Sequence, residues 1–289
     1  MTRRRTLFLR FAMVSAVGLS LLGAAIFVFD LSYDVSALRP HTRPVHAMLE
    51  KVMHHAVDVR SRGIEAPPSL SAERGAACYR DTCAQCHGGP GVAPGPIGMG
   101  MQPLPGPLVD AARRWELRHV YWITRNGIKM TGMPAWEYRL ADDDLWAVSG
   151  FVQQLAQLSP ADYAKQMESA QDIRCLESTR CVGAACVATQ TVAVDDDDWI
   201  NRAQIALGQY ACTACHVIPG TVGPETHVGP PLAGLGARQL LGGRLPNTPQ
   251  NLARWIRDPK AIDPATAMPD LSVSEEHATL MARYLATLR

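Results

Sequence analysis

The sequence predicts an all-α protein with one membrane-spanning helix at its N-terminus and two helical domains behind it. A run of nineteen uncharged residues, 11–29, follows four arginines near the start of the chain. The pattern Cys-x-x-Cys-His occurs twice, at 83–87 and at 212–216, which indicates an internal repeat. Apolar residues recur at helical spacing after both copies, and the alternation typical of strands does not surround either one.

Length and composition narrow the class of protein. The 289 residues correspond to about two domains, and a content of 47% hydrophobic and 19% charged residues excludes global disorder. Because 28 basic residues nearly balance 27 acidic ones, the chain lacks the broad basic surface that nucleic-acid binding requires. We therefore expect no nucleic-acid partner.

Residues 1–30 are predicted to form a basic cytoplasmic tip and a transmembrane anchor. At 1.5 Å per residue the run of nineteen spans about 28 Å, close to the ~30 Å of a bilayer core. Arginines precede the run and Asp30 follows it, so the positive-inside rule predicts a single-pass protein of the bacterial inner membrane with its domains in the periplasm. A signal peptide cleaved after Gly23-x-Ala25 is the alternative, but the apolar run continues to Phe29 and favours an uncleaved anchor.

The next segment, residues 31–67, is predicted to contain an amphipathic helix beside the membrane. Between 44 and 62 the apolar residues recur at mostly helical spacing: Val45, Met48, Leu49, Met53, Val57 and Val59. His54 and His55 are adjacent and therefore point about 100° apart on a helix, which does not suit a chelate. We expect both, and His46, to be solvated surface histidines.

The repeated pentapeptide has a specific chemistry. Two thiols at this spacing add to the two vinyl groups of haem, while the histidine that follows presents its imidazole to the iron from the same face. The sequence thus predicts two covalently bound c-type haems, attached through the thioether positions Cys83, Cys86, Cys212 and Cys215. His87 and His216 are the predicted histidine ligands of the two irons.

Paired cysteines also occur in structural zinc sites and in redox-active pairs. In structural zinc sites the cysteine pairs usually lie some 12 to 20 residues apart, whereas these pairs are separated by 129 residues. A thioredoxin-like redox pair requires a βαβ pattern, and no strand alternation lies near either motif. Haem attachment is therefore favoured.

A Met-Pro pair follows each motif at nearly the same distance and predicts the second axial ligand of each iron. Met133 lies 46 residues after His87, and Met268 lies 52 residues after His216. Histidine and thioether together hold low-spin iron with no open coordination position.

A loop rich in glycine and proline follows the first motif. Residues 88–108 contain seven glycines and six prolines, which excludes regular secondary structure. A disordered linker is one interpretation, but the position directly after the motif favours an ordered loop around a haem edge. Met99 and Met101 in this loop compete with Met133, which is preferred because a proline follows it. Met130 is expected to pack.

Each half of the chain resembles a class I cytochrome c, over the predicted domains 68–165 and 199–289. The first half has CAQCH after a helix with Gly75 and Tyr79, then GMPAW and a C-terminal helix. The second half has CTACH, VGPPLAGLGAR and ATAMPDL in that order. The resemblance implies two haem-wrapping helical domains with histidine and methionine as axial ligands.

The second half departs from the family at one position. The glycine of the family's N-terminal helix falls near Ala203, while Gly208 lies only four residues before Cys212. This half also resembles the cytochrome domain fused to subunit II of some haem-copper oxidases, through CTACH, LPNTPQNLARWIRDP and AMPDL. The first half is similar to cytochromes found beside respiratory oxidases. These resemblances imply redox-protein partners.

In each half a terminal helix is predicted to cross an N-terminal one. The first begins near Asp142 with two further aspartates in its opening turn, as the helix macrodipole favours. Its apolar stripe, which should pack against residues 75–79, comprises Leu145, Val148, Phe151, Val152 and Leu155. In the second half residues 203–210 should pack against 278–288, through Met281, Tyr284, Leu285 and Leu288.

Four cysteines remain outside the motifs: Cys78, Cys175, Cys181 and Cys186. Three of them fall in the acidic linker predicted at 166–198, and a periplasmic location permits disulfides. We expect one bridge within the linker and one from Cys78 to the linker. Free packing thiols and a metal site are the alternatives.

Closed iron sites predict electron transfer rather than catalysis. Neither a Ser/His/Asp nor a Cys/His nucleophile set stands out, so no catalytic residue is predicted. The expected function is a membrane-tethered carrier of single electrons, from a quinol-oxidising complex or a dehydrogenase to a terminal oxidase. A dihaem peroxidase and a permanent cytochrome subunit of a dehydrogenase or oxidase complex are the alternatives.

Overall fold

A computed structural model describes residues 2–32, 34–38, 40–175, 198–222 and 228–289. The backbone over these ranges is mostly helical, which confirms the predicted all-α class. The exception there is an antiparallel ribbon of two short strands, β1 (Leu240–Leu241) and β2 (Leu245–Pro246). The predicted all-α class did not include this ribbon.

The helices enclose two separate apolar cores, which define a first and a second module. Two helices precede the modules, α1 (Thr2–Ser32) and α2 (Arg43–Arg60). The first module comprises α3 (Ala72–Cys78), α4 (Ala84–His87), α5 (Pro96–Met99), α6 (Ala111–Arg114), α7 (Leu117–Asn126), α8 (Asp142–Gln154) and α9 (Pro160–Ser169). The second comprises α10 (Trp199–Gln209), α11 (Pro249–Arg257), α12 (Pro259–Ile262) and α13 (Glu275–Leu285).

Hydroxyl side chains begin several of these helices. The hydroxyl oxygens of Ser71 and Ser274 accept backbone N–H bonds in the first turns of α3 and α13, and Ser159 and Thr248 do so for α9 and α11. Each cap pairs a donor that the helix itself leaves unpaired. Proline directly after Ser159 and Thr248 adds a preset φ angle at the first helical position.

Helix α1 contains the predicted anchor. Its segment Arg10–Val28 is long and apolar enough to cross a bilayer, and it is the single such helix among the described residues. None of this segment is buried against the rest of the protein. These properties are compatible with a single-pass membrane anchor.

Helix α2 packs against the first module through its C-terminal half. Val57 is buried, and the imidazole of His54 stacks on Trp115 with 4.0 Å between ring centroids. Asp58 lies 3.5 Å from the guanidinium of Arg118 on α7. The expectation that His54 is a solvated surface residue is therefore wrong. The indole ring of Trp115, 61 residues further along the chain, covers one face of its imidazole.

The first module is built on the crossing of α3 and α8. All five residues of the predicted stripe, four on α8 and Leu155 directly after it, are buried, together with Tyr79, whose ring lies 5.3 Å from that of Phe151. The backbones approach so closely that a Cβ added at Gly75 would lie 2.4 Å from the carbonyl oxygen of Ala147. Glycine at this position is thus a steric requirement of the crossing.

A disulfide and the side chain of Arg80 extend the first module to residue 175. Cys78 is bonded to Cys175, which confirms the expected bridge from Cys78 to the linker and excludes both as free thiols. The guanidinium of Arg80 donates to the carbonyl oxygens of Ala170 and Ile173 at 2.7 Å each. Cys181 and Cys186 lie outside the described residues.

The second module uses alanines where the first uses glycine. Ala203 and Ala206 on α10 are completely buried and share one core with Ala278, Met281 and Tyr284 on α13. The family-like helix contact is therefore present without the glycine. Gly208 has open space around its Cα, so it has no role in the crossing.

A pair of glycine substitutions tests these crossings. Gly75→Ala should lower the free energy of unfolding by about 1–3 kcal/mol, because the added methyl group overlaps the α8 backbone. The matched change Gly208→Ala should instead raise it by up to about 1 kcal/mol, since alanine is the better helix former and has room there. Denaturant unfolding measures both, and equal losses would contradict the proposed packing.

Candidate haem sites

The first Cys-x-x-Cys-His motif begins in a π-helical turn, Tyr79–Cys83, and ends in α4. In this turn the Thr82 hydroxyl donates to the Cys78 carbonyl oxygen at 2.6 Å. Cys83 is only 6% exposed, and this burial raises the pKa of its thiol to about 11. An apolar surrounding of this kind suits a neutral thioether and disfavours the thiolate that a zinc site requires.

The glycine- and proline-rich loop after this motif is ordered, which favours the ordered-loop interpretation of the sequence over a disordered linker. Gly89 and Val92 exchange two backbone hydrogen bonds of 2.9 Å, and the N–H of Gly95 donates to Gln85 within the motif at 2.9 Å. A Cβ added at Gly98 would lie 2.7 Å from the Cys86 carbonyl oxygen. The expectation that this loop contains no regular structure is wrong at α5, a single helical turn that begins at a proline.

The imidazole of His87 is fixed by the far end of the same loop. Its Nδ1 lies 2.7 Å from the carbonyl oxygen of Gly106, which leaves Nε2 as the nitrogen that can bind a metal. Burial lowers the pKa of His87, so the neutral form that ligates iron is favoured. Sequence analysis did not single out Gly106.

The histidine of the second motif is held in the same way. Nδ1 of His216 lies 2.8 Å from the carbonyl oxygen of Pro230, and the N–H of Gly229 donates to Cys215 at 2.7 Å. A Cβ at Gly229 would lie 2.5 Å from the His216 ring, so glycine is required for this approach. In both modules a Gly-Pro pair supplies the segment that fixes the histidine, at 106–107 and at 229–230.

Both predicted methionines are held by a threonine two residues earlier. The Met133 N–H donates to the Thr131 hydroxyl at 3.0 Å, and the Met268 N–H donates to the Thr266 hydroxyl at 3.3 Å. Each methionine is half-buried. Sequence analysis missed the threonines, although the repeated pattern Thr-x-Met-Pro could have revealed them.

The other methionines of the first module differ in position. Met101 packs on the loop of Met133, since its sulfur would lie 2.6 Å from a Cβ added at Gly132. Met99 is 58% exposed. Met130 is 90% exposed, so the expectation that it packs is wrong.

The donor sets of both sites fit a c-type haem. Each combines a Cys-x-x-Cys pair, a histidine whose Nδ1 is already engaged and a methionine on an ordered loop, and a haem bound there supplies one-electron redox chemistry. Within the described ranges the one group of three potential metal ligands is Cys78, Asp144 and Cys175. The two cysteines of that group are joined to each other.

Comparison with known proteins identifies the class of the first module. Residues 70–152, which run from just before α3 almost to the end of α8, match the family described as cytochrome C oxidase, cbb3-type, subunit III. The chain therefore contains a cytochrome c domain, an electron-transfer domain that implies a covalently bound c-type haem.

Two curated relatives are both called cytochrome c oxidase subunit 2. The protein of Alkalihalophilus pseudofirmus is 32% identical over 90 residues, which cover 31% of this chain and 25% of the relative. The protein of Bacillus sp. strain PS3 is 28% identical over 107 residues, which cover 36% of this chain and 28% of the relative. The chain thus spans little more than a quarter of the length of the relatives it matches.

Removing one threonine hydroxyl tests how the methionine segment is held. Thr131→Val should leave the half-buried Met133 N–H without its acceptor, at a cost of about 1 kcal/mol. Amide hydrogen exchange at Met133 should then accelerate roughly fivefold, the factor that corresponds to that energy. Thr131→Ser keeps the hydroxyl and serves as the control. Unchanged exchange in the valine variant would show that the hydroxyl does not hold the segment.

Proposed function

We propose that the protein is a membrane-tethered dihaem cytochrome c that transfers single electrons on the periplasmic side of the bacterial inner membrane, toward a terminal oxidase. The observation that carries this proposal is that the two sites are built alike. In each, a backbone carbonyl 2.7–2.8 Å from Nδ1 orients the histidine, and a threonine hydroxyl holds the methionine N–H. A single cytochrome domain would not require this duplication.

The proposed attachment sites are Cys83 and Cys86 in the first module and Cys212 and Cys215 in the second. The proposed axial ligands are His87 with Met133, and His216 with Met268. The Nδ1–H of each histidine donates to its carbonyl and so orients the imidazole, with Nε2 available. Two neutral ligands per iron favour the reduced state relative to anionic ones and leave no position for a substrate.

The chain between α1 and α2 supports a tether close to the membrane. Ten residues, 33–42, separate these helices, and even fully extended they reach no more than about 35 Å. Because α2 packs on the first module, that module remains near the membrane surface. The Cys78–Cys175 disulfide agrees with an oxidising compartment such as the periplasm.

The proposed electron acceptor is a terminal oxidase, and the donor is a quinol-oxidising complex or a dehydrogenase. The similarity to proteins named as oxidase subunits supports this environment. The same similarity favours a second candidate, a permanent cytochrome subunit of an oxidase complex. Copurification from native membranes in mild detergent separates the two, because a subunit remains with the oxidase after a high-salt wash whereas a mobile carrier does not.

The first prediction from this proposal concerns haem content. Both motifs should carry haem, so denaturing electrophoresis of salt-washed membranes should give a haem-stained band at the mass of the whole chain. The pyridine haemochrome of the purified protein should correspond to two haems per polypeptide. A ratio near one haem per polypeptide would contradict the dihaem part of the proposal. A soluble haem-stained protein whose N-terminus lies near Ile26 would contradict the membrane tether.

A second prediction concerns the methionine ligands. The oxidised protein should show the weak sulfur-to-iron charge-transfer band of methionine-ligated haem, and the reduced protein should bind carbon monoxide poorly. Met133→Ala and Met268→Ala should each reduce that band by about half and permit one carbon monoxide adduct, nearly independently because the sites lie in separate modules. Met130→Ala, at an exposed methionine of the same loop, is the control.

Two results would change the assignment. A wild-type protein that binds carbon monoxide at one haem and turns over hydrogen peroxide would favour the peroxidase alternative. An unchanged band in Met133→Ala, together with a loss in Met101→Ala, would move the ligand to the methionine that packs beside that loop.

A further inference from the structure

The two modules meet at a cluster of aromatic side chains that neither module uses for its own haem site. Arg139 of the first module donates to the carbonyl oxygen of Gln209 at 2.7 Å, and its guanidinium lies 4.5 Å from the centroid of the Tyr210 ring. The Tyr138 ring lies 4.8 Å from that of His277 on α13. We call Tyr138, Arg139, Tyr210 and His277 the aromatic bridge.

Hydrogen bonds connect the members of the aromatic bridge across the module boundary. The Tyr210 hydroxyl donates to the backbone carbonyl of Tyr138 at 3.4 Å and lies 3.0 Å from Nδ1 of His277. An Nδ1–H on His277 completes this chain, since the tyrosine hydroxyl can then accept from the imidazole while it donates to the carbonyl. Tyr138 is also partly buried against the apolar core of the second module, so the contact includes apolar packing as well as hydrogen bonds.

The aromatic bridge joins one candidate haem site to the other along the chain. Tyr138 lies five residues after Met133, and Tyr210 lies two residues before Cys212. The Cys212 sulfur lies 3.9 Å from the Tyr210 carbonyl oxygen. The methionine loop of the first module is thus in contact, through two tyrosines, with the cysteine motif of the second.

We propose that the aromatic bridge fixes the second module against the first and is the contact across which an electron passes between the two sites. This inference rests on the dihaem function proposed above. Electron tunnelling weakens steeply with distance, and it weakens more through water than through atoms in contact. A covalent linker alone already makes the transfer intramolecular but leaves the encounter of the modules to diffusion, whereas a docked contact keeps the two sites at a fixed separation.

The test compares three variants of the full-length holoprotein. The double variant Tyr138→Ala with Arg139→Ala removes two side chains that reach the second module. Tyr138→Phe keeps the ring and the backbone carbonyl, and should therefore behave like the wild type. Arg254→Ala, at an exposed arginine of α11 that is not a member of the aromatic bridge, is the matched control.

Two measurements are needed, and only one depends on haem. Hydrogen exchange followed by mass spectrometry should show protection of peptides that contain Tyr138 and Tyr210 in the wild type, and a loss of that protection in the double variant. Electron equilibration between the haems after flash reduction should be independent of protein concentration. It should slow by at least about tenfold in the double variant, because docking no longer maintains the contact.

The outcomes separate this inference from the dihaem function. Wild-type exchange and wild-type equilibration in the double variant would overturn the aromatic bridge and leave two haems in place. Slower equilibration in Arg254→Ala as well would show that the effect is not specific to the contact, which would also overturn it. A haem ratio near one would overturn the electron route together with the dihaem function, and exchange protection would still decide whether the modules dock.

Discussion

Both candidate sites depend on the crossing of an N-terminal and a C-terminal helix within each module. In the first module the cysteine motif follows α3 and the methionine segment precedes α8. In the second module the corresponding helices are α10 and α13. Where these helices touch therefore sets the distance between the histidine and the methionine of the same module. In the first module the crossing requires Gly75, and the disulfide from Cys78 holds the same helix to residue 175.

The two modules reach the same donor set by different local means. In the first, a π-helical turn leads into the motif. In the second, Ala211 adopts a left-handed conformation with φ of 56° immediately before Cys212, a strained arrangement for a residue other than glycine. Such strain persists only where surrounding contacts hold it, and here the Ala211 N–H donates to the Gly208 carbonyl at 2.9 Å while the Ala211 carbonyl accepts from the Ala214 N–H at 3.0 Å. The two modules therefore share the same candidate donor residues, although the backbone conformation that leads into each cysteine motif differs.

The arrangement of the whole chain also follows from a few side chains. Asp58 and His54 dock α2 on the first module, and Tyr138 and Arg139 dock the first module on the second. Each contact restricts how two parts of the chain can move relative to one another, which the length of the connecting segment alone would not do. A tether of ten residues, a docked helix and a docked second module would place both proposed redox centres within reach of a membrane-bound partner.

The sequence by itself determined the features that arise from neighbouring residues: the apolar run, the two pentapeptides, the Met-Pro pairs and the helical stripe on α8. Spacing along the chain specifies these, because covalent attachment and helical periodicity act over a few residues. Only the tertiary structure decided which carbonyl fixes each histidine, that Cys175 is the partner of Cys78, that Trp115 covers His54, and that Tyr138 meets Tyr210. These pairs lie tens of residues apart, and no local pattern marks one partner for the other, since their proximity results from how the helices pack.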